Sequence, residues 1–327
     1  MAYTANNASS EHSQLVGEAE QADYARGTVA LITQAKGASG DVDVELAPIR
    51  EALRGYGVDA DIVEWTSGKS LRGYKAAIIR SPWDYPDRYT DFMAWLQKAR
   101  QETNVLNHPD LITWNSDKHY LEVLADLGVN IPPTTYARTL EETQEAAAKV
   151  KGRLIIKPAV SASSRNTGLF ENYGAEAQAL AEKILSAGNT VIVQEAIDTV
   201  QDGAERGIFF FNGEYSHTTR KAPVLELGGG LYRGTYTERI TIVEPSVAEL
   251  ELARATIRAI GMVSRQENWA PTAGLPLYIR VDVATPSSGK PQLIEAEAFE
   301  PELYLRLVEG GFDRFAKAVA ERIEFLD

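Results

Sequence analysis

Short apolar runs alternate with helix-like spacings along the first third of the chain. The run at 29–32 precedes a glycine-containing polar loop, and apolar residues then recur at helical spacing between positions 44 and 53. Further strand-like runs occupy 61–65, 76–80 and a segment ending at Leu106, with helical spacing at 89–100. Because strands that alternate with helices form parallel sheets, residues 28–112 are predicted to be a wound α/β domain.

The pattern after this domain is mixed. Helices are predicted at 118–127, 139–150, 175–187, 246–260 and 312–325, the first ending at Gly128. Strands are predicted at 153–158, 190–195, 207–211, 215–219, 277–283 and 292–296, with a hairpin turn at Asn212-Gly213. The expected fold class is therefore α/β, with α+β character in the second part.

Composition restricts the function. The chain has no cysteine, which excludes disulfides, thiolate zinc sites and a thiol nucleophile. Its formal charge of −13 argues against a nucleic-acid partner, because a polyanion is bound through clustered basic residues. Residues 1–27 are polar and are expected to form a disordered leader. No run approaches the roughly 20 apolar residues of a membrane span, so a cytoplasmic protein without a membrane partner is expected.

Two lysines occupy informative positions. Lys118 is predicted to begin a helix, and Lys157 closes the apolar strand 154–157, where a charge is costly unless it meets an anion. The polar loop 161–168 follows and offers hydroxyls and closely spaced amides that can surround phosphate oxygens. Each lysine alone could equally be an ordinary surface residue.

Charged residues share one face of each of two late strands. Arg280 and Asp282 alternate with apolar residues on one strand, as Glu295 and Glu297 do on the next. If the strands are adjacent and antiparallel, three carboxylates and a guanidinium converge. Such carboxylates repel one another without a cation, which favours a magnesium site at nucleotide phosphates. The alternative is a solvated face of an amphipathic hairpin.

The order of these motifs resembles the ATP-grasp superfamily. The series comprises Asn115-x-x-Lys118, Ile156-Lys157-Pro158, the small-residue loop, Gln194-Glu195, Arg280-x-Asp282 and Glu295-x-Glu297. The preceding domain is similar to that of glutathione synthetases and D-alanine ligases, and Arg80-Ser81-Pro82-Trp83-Asp84-Tyr85 resembles the branch containing cycloserine synthetase, the O-ureidoserine cyclo-ligase. The resemblance implies one ATP-grasp lobe at 113–195 and a second lobe with the metal site at 196–327.

The resemblance also implies roles for individual residues. Lys118 and Lys157 would hold the α and β phosphates of ATP, and the loop would cover the β and γ phosphates through Ser161, Ser163, Ser164 and Gly168. The adenine would lie at Gln194, Glu195, Ala196 and Ile197, and Asp202 is a candidate ribose contact. The catalytic candidates that would neutralise the transferred phosphoryl group are Arg220, Lys221 and Arg280. The Mg²⁺ ligands would be Asp282, Glu295 and Glu297, although glutathione synthetases commonly have asparagine at the last position.

The organic substrate is expected to be a small, amino-acid-like molecule. Arg80, Ser81, Trp83 and Asp84 follow a strand of the first domain, where parallel sheets open into ligand crevices. Arg80 could pair with a carboxylate and Asp84 with an ammonium, or the segment could be only a structural turn. Gly229 and Arg233 are predicted to lie in a mobile substrate loop.

The predicted reaction is ADP-forming ligation, in which an acyl phosphate is attacked by a nitrogen nucleophile, with intramolecular cyclisation as one form. A small-molecule phosphotransferase and a non-catalytic nucleotide-binding protein are the alternatives. The carboxylate set argues against the last, because adenine binding alone does not require it. A homodimer is a further expectation.

Overall fold

The computed structural model describes residues 27–38, 42–162, 164–223, 225–229 and 239–326. The leader predicted at 1–27 lies outside the described residues except for Gly27. Within the described ranges, no helix is long and apolar enough to cross a bilayer. Mixed helices and sheets confirm the α/β fold class.

The first domain contains a four-stranded parallel sheet in the order β2-β1-β3-β4. Its elements are β1 (Thr28–Thr33), α1 (Leu46–Arg54), β2 (Asp59–Glu64), β3 (Ala76–Ser81), α2 (Tyr89–Glu102), β4 (Asn104–Leu106) and α3 (Pro109–Asn115). Alternation along β1 gives the sheet two apolar faces. Ala30 and Ile32 belong to the cluster that contains Phe92 of α2, whereas Val29 and Leu31 belong to the cluster that contains α1.

The C-terminal helix completes the core of the first domain. Phe315 and Val319 of α8 (Gly311–Glu324) are fully buried in the same cluster as Val29 and Leu31 of β1. Tyr56 adds a polar contact, since its hydroxyl donates to Asp313 at 2.7 Å. Strand β1 and helix α8, which are far apart in sequence, therefore share one hydrophobic core.

A four-stranded antiparallel sheet forms the first of two further lobes, in the order β5-β8-β6-β7. Its elements are α4 (Tyr120–Asp126), β5 (Thr134–Ala137), α5 (Leu140–Ala147), β6 (Leu154–Pro158), β7 (Gly168–Phe170), α6 (Ala175–Ser186) and β8 (Val191–Glu195). Residues of α5 and α6 pack on the apolar face of this sheet, where Ala146 and Ile184 contact the cluster around Ile156 and Val193.

The second lobe contains a five-stranded antiparallel sheet in the order β11-β10-β9-β12-β13. Its elements are β9 (Arg206–Phe211), β10 (Glu214–Lys221), β11 (Ile240–Val243), α7 (Val247–Gln266), β12 (Tyr278–Ala284) and β13 (Gln292–Glu297). Ile279, Val281 and Val283 of β12 are buried in one cluster with Ala253 and Ile260 of α7. The residues between them, Arg280 and Asp282, consequently occupy the opposite face of the sheet.

Two helix predictions required correction. Lys118 does not begin a helix: it lies in the turn between α3 and α4, where its backbone N–H donates to the Ala159 carbonyl at 2.9 Å. Helix α7 continues past the predicted end at 260 to Gln266. Gly261 lies inside this helix, and its missing side chain leaves room for the Gly274 carbonyl, which would lie 3.3 Å from an added Cβ.

Asparagine side chains join the first domain to the last sheet. The Asn115 amide donates to the Ala296 carbonyl at 2.7 Å and accepts from the Ala298 N–H at 2.8 Å. The buried Asn107 amide donates to the Tyr278 carbonyl at 2.7 Å and to the Ala298 carbonyl, and its oxygen accepts from the Leu277 N–H. Main-chain groups that lie outside any ladder are thereby satisfied.

Asn107→Ala should lower the free energy of unfolding by about 2–4 kcal/mol, because it leaves buried main-chain groups without partners. Chemical denaturation monitored by circular dichroism measures this change. Asn104→Ala is the matched control, since Asn104 is exposed at the start of β4, the strand that precedes Asn107, and should change stability by less than about 0.5 kcal/mol. Equal stability of both variants would contradict the proposed importance of this junction.

Candidate active site

A cavity of about 290 Å³ lies between the two antiparallel sheets, with Val42 and Trp83 of the first domain in its wall. Strand ends of both lobes supply the remaining walls, so polar side chains from distant parts of the sequence meet here. The cavity has an apolar part and a strongly charged part.

The apolar part follows the end of β8. Ile155, Leu169 and Ile294 line it together with the segment Gln194–Ile197, which was predicted to contact adenine. The N–H groups of Glu195 and Ala196 donate to the carbonyls of Pro133 and Arg153, at 2.9 and 2.8 Å. Those two donors are consequently engaged within the protein.

Both predicted phosphate lysines line the charged part and are almost fully buried. Lys118 Nζ lies 2.9 Å from Glu295 Oε1 and donates to the Ser161 carbonyl at 2.9 Å. Burial alone would lower the pKa of Lys118, but the attraction of Glu295 outweighs it and raises the pKa. Burial of Lys157 lowers its pKa to about 8. In the described part of the chain Lys157 has no ion-pair partner, so its ammonium is the less compensated of the two.

The hairpin of β12 and β13 brings the predicted acidic residues together. Its register pairs Arg280 with Glu297 and Asp282 with Glu295. Arg280 donates three hydrogen bonds to Asp282, from Nε to Oδ1 at 2.8 Å and to Oδ2 at 3.1 Å, and from Nη2 to Oδ2 at 2.9 Å; it also contacts Glu297. Burial would raise the pKa of Asp282, but Arg280 lowers it below the usual value. Asp282 and Glu297 therefore share one cation, the Arg280 guanidinium.

Gly207 permits this arrangement on the neighbouring strand. A Cβ at this position would lie 3.1 Å from Cδ of Arg280 and 3.2 Å from Oδ1 of Asp282, and 2.9 Å from the Thr219 hydroxyl. The Arg280–Asp282 pair thus lies across the bare backbone of β9, and a larger side chain there would push the pair out of place.

Additional acidic groups that the sequence reasoning did not select also line the cavity. Glu205 lies 3.2 Å from Lys221 Nζ, and Glu300 and Glu302 follow the end of β13. Burial raises the pKa of Glu205, and it raises that of Glu297 to about 7. The pKa of Glu300 is raised well above its usual range, by burial first and then by the charge of Glu297. Gln201 and Tyr304 were missed as well.

The described residues contain no set of three acidic or histidine side chains placed to hold a metal ion. Asp282, Glu295 and Glu297 nevertheless offer the hard oxygen donors that Mg²⁺ prefers, on paired strands that line the cavity. Each is at present paired with a cationic side chain, Arg280 or Lys118. The donor chemistry therefore fits Mg²⁺, and rearrangement of these ion pairs would free the donors.

The segment 80–84 reaches the cavity only through Trp83. Arg80 is fully buried: it donates to the Pro301 carbonyl at 3.3 Å and lies 3.7 Å from Asp43 Oδ2. Asp84 accepts a hydrogen bond from the Trp65 indole at 2.8 Å, and Ser81 bonds to Thr33 at 2.9 Å. The structure does not bring these three side chains to the cavity lining. Trp83 donates from its indole to the Glu300 carbonyl at 2.9 Å.

Other predicted site residues also lie apart from the cavity lining. Lys221 lines the cavity, but its neighbour Arg220 points away and donates to the carbonyls of Gly203 and Asp202, at 2.8 and 2.9 Å. Adjacent residues of a strand face opposite sides, so only one of these two side chains lines the cavity in this arrangement. Asp202 and Gly229 are not among the lining residues. Gly168 serves packing, since an added Cβ would lie 2.6 Å from the Phe170 ring.

Two of the predicted residues, Ser163 and Arg233, lie outside the described residues. Ser161 and Ser164 line the cavity.

Comparison with known proteins gives concordant results. Residues 29–107 match the family described as D-cycloserine synthetase DcsG, N-terminal domain. The cycloserine biosynthesis protein DcsG of Streptomyces lavendulae is 30% identical over 311 residues, which cover 91% of this chain and 99% of that protein.

Solved structures extend the comparison. The crystal structure of D-cycloserine synthetase DcsG superposes with a TM-score of 0.81 at 27% identity, covering 91% of this chain and all of that one. D-alanine–D-alanine ligase from Bacillus anthracis, solved in complex with ATP, shares the fold with a TM-score of 0.61 at 11% identity, covering 91% of this chain and 97% of that one.

The three-sheet fold and the lysine and carboxylate cavity define an ATP-grasp enzyme, an ATP-dependent carbon–nitrogen ligase that releases ADP. Within that class, the chain belongs to the family of the cycloserine biosynthesis protein DcsG. The resemblance inferred from the order of the motifs is thereby confirmed.

Lys157→Met should raise the free energy of unfolding of the nucleotide-free protein by about 1–3 kcal/mol, because it removes a buried charge with little compensation. The folded-state pKa of about 8 lies below the usual 10.5, so Lys157 destabilises the fold fully below pH 8 and progressively less up to pH 10.5. The gain from Lys157→Met should therefore shrink as pH rises through this window.

Urea denaturation at pH 7 and pH 10 measures this effect, with Lys151→Met as the control because Lys151 is exposed. A lower stability of Lys157→Met at pH 7 would show that the ammonium is well compensated in the folded protein.

Proposed function

We propose that this ligase activates the carboxyl group of a small amino-acid-like substrate as an acyl phosphate and closes a ring through a nitrogen of the same molecule. The proposal rests on one continuous cavity. Its apolar part at Ile197 leads to the charged part around Asp282 and then to Trp83. The similarity to the cycloserine biosynthesis protein DcsG over nearly the full length of both chains supports cyclisation as the form of ligation. O-Ureidoserine is the substrate to test first.

The nucleotide would lie along the cavity from its apolar to its charged part. Adenine would pack between Ile155 and Ile294, and the backbone at Ile197 is the candidate for reading its edge, because the N–H groups of Glu195 and Ala196 are already engaged. Lys118 and Lys157 would neutralise the phosphates. The hydroxyls of Ser161 and Ser164 would complete the phosphate contacts.

Asp282, Glu295 and Glu297 would hold Mg²⁺, which supplies charge neutralisation at the phosphate oxygens when it is bound. The side chains of this chain would then exchange partners. Lys118, released from Glu295, can turn to phosphate, and Arg280 and Lys221 stand beside the acidic cluster where the phosphoryl group is transferred.

The chemical steps follow from this placement. A carboxylate oxygen of the substrate attacks the γ-phosphorus, so a bond to phosphorus forms as the bond to ADP breaks. The substrate nitrogen then attacks the acyl carbon and expels phosphate, while the nitrogen loses a proton. The cationic side chains stabilise the charge that develops on the phosphoryl oxygens in both steps.

Trp83 is the residue of segment 80–84 that we assign to the organic substrate, because its side chain lines the cavity from the first domain. Arg80 could meet a substrate carboxylate only if the Asp43 and Pro301 segments moved away. We therefore propose that Arg80 supports the turn at Pro301, and through it the cavity residues Glu300 and Glu302.

The test of the proposed function is ADP release from ATP and Mg²⁺ with O-ureidoserine as the sole organic substrate, with the product identified by mass spectrometry. A cyclised product formed together with ADP would support ring closure. A stable phosphorylated product would instead indicate a phosphotransferase. ADP release that requires an added amine would place the nucleophile on a second molecule and overturn ring closure.

Glu295→Gln should lower kcat by about 100-fold or more, because it removes charge from the metal donor set and breaks the pairing with Lys118. ADP release under saturating ATP and Mg²⁺ measures this loss. Glu244→Gln is the control, since Glu244 is exposed beyond β11 and should leave kcat unchanged. A folded Glu295→Gln protein with wild-type ADP release would remove Glu295 from the metal site.

A further inference from the structure

One arginine connects the loop 161–168 to the first domain. Arg165 lies in the loop 161–168, between residues that line the cavity. Its Nη1 lies 2.6 Å from Asp87 Oδ2, and its Nη2 donates to the Trp83 carbonyl at 2.8 Å. Both partners belong to the segment that follows β3 in the first domain. A single side chain therefore bridges two parts of the chain that are far apart in sequence.

The loop is docked on the first domain by further contacts. Ala162 is buried in the same apolar cluster as Ile32 and Phe92 of the first domain. The Tyr85 hydroxyl approaches the Ser161 carbonyl, at 3.5 Å. These contacts place the loop against the wall that also contains Trp83, so loop position and the substrate side of the cavity depend on each other.

The backbone around Arg165 requires external support. Ser164 has a φ value of +52°, in the left-handed region that most residues with side chains disfavour, and Asn166, of a type that adopts this region more readily, has a φ value of +54°. A conformation of this kind persists when surrounding contacts hold it. Arg165, between these two residues, provides such contacts through Asp87 and Trp83.

The bridge is suited to open and close. Asp87 is 71% exposed and Arg165 is 31% exposed, so water screens their ion pair. The additional bond to the Trp83 carbonyl fixes the direction of the guanidinium. A contact of modest strength can hold the loop while nucleotide is bound and still release it for ADP to leave.

We propose that Arg165 is a positioning residue that fastens the loop to the first domain over bound nucleotide and thereby slows nucleotide dissociation. This inference rests on the proposed ATP site, because the loop residues Ser161 and Ser164 would contact the phosphates there. The residue acts through the loop and touches neither the nucleotide nor the organic substrate.

The experiment follows release of a fluorescent, non-hydrolysable ATP analogue with Mg²⁺ by stopped flow, without any organic substrate. Arg165→Ala should raise the dissociation rate about tenfold and leave the association rate nearly unchanged. Asp87→Ala should give part of this increase, and the double variant should dissociate no faster than Arg165→Ala, because both changes remove the same bridge.

Arg138→Ala is the matched control, since Arg138 is an exposed arginine of the same lobe and should leave both rates unchanged. Thermal unfolding of each variant verifies that the fold is intact. An unchanged dissociation rate in Arg165→Ala would overturn the bridge while leaving the ATP site in place. Absence of analogue binding to the wild-type protein would instead overturn the ATP site and this inference with it.

Discussion

Compensation of buried charge is the constraint on which this structure depends. Asp282 and Arg280 are almost completely removed from water, and Lys118 and Lys157 are nearly so. Isolated charges in such a place would cost several kcal/mol each, so the fold must supply partners of opposite sign. The antiparallel register of β12 and β13 does so by setting Arg280 among the carboxylates, and the turn before α4 brings Lys118 to Glu295. Ion pairs therefore line the charged part of the cavity, and Lys157 is the one of these four residues without an ion-pair partner in the described part of the chain.

The same constraint bears on how the proposed site would take up a nucleotide. A polyphosphate with its metal ion carries both signs of charge and can exchange partners with the existing pairs, so binding need not expose a bare charge at any stage. The pKa of Glu300, raised well above its usual range, that of Glu297, raised to about 7, and that of Lys157, lowered to about 8, mark groups whose charge the protein alone compensates incompletely. These incompletely compensated groups lower the stability of the fold, and in the proposed function they are the groups that would bind the charged ligand.

The sequence predicted side-chain positions best where buried and polar residues alternate along a strand. Alternation with buried Ile279 and Val281 was enough to place Arg280 and Asp282 on the cavity face, and the β-strand register then brought them to Glu295 and Glu297. It failed where position depends on tertiary contacts. Arg80 ends an apolar strand, as a ligand residue would, yet it is covered by the Asp43 and Pro301 segments from elsewhere in the chain. Glu205 and Glu300 lie just outside the ends of strands, where no period indicates which way a side chain points.

The shared core of β1 and α8 has a consequence for synthesis of the protein. The ribosome delivers Val29 and Leu31 long before Phe315 and Val319, yet these residues must bury one another. While the chain grows, one apolar face of the first sheet lacks its final cover and is exposed to nascent-chain aggregation or to chaperones. A stop before α8 would consequently damage the packing of β1, which lies far from α8 in sequence.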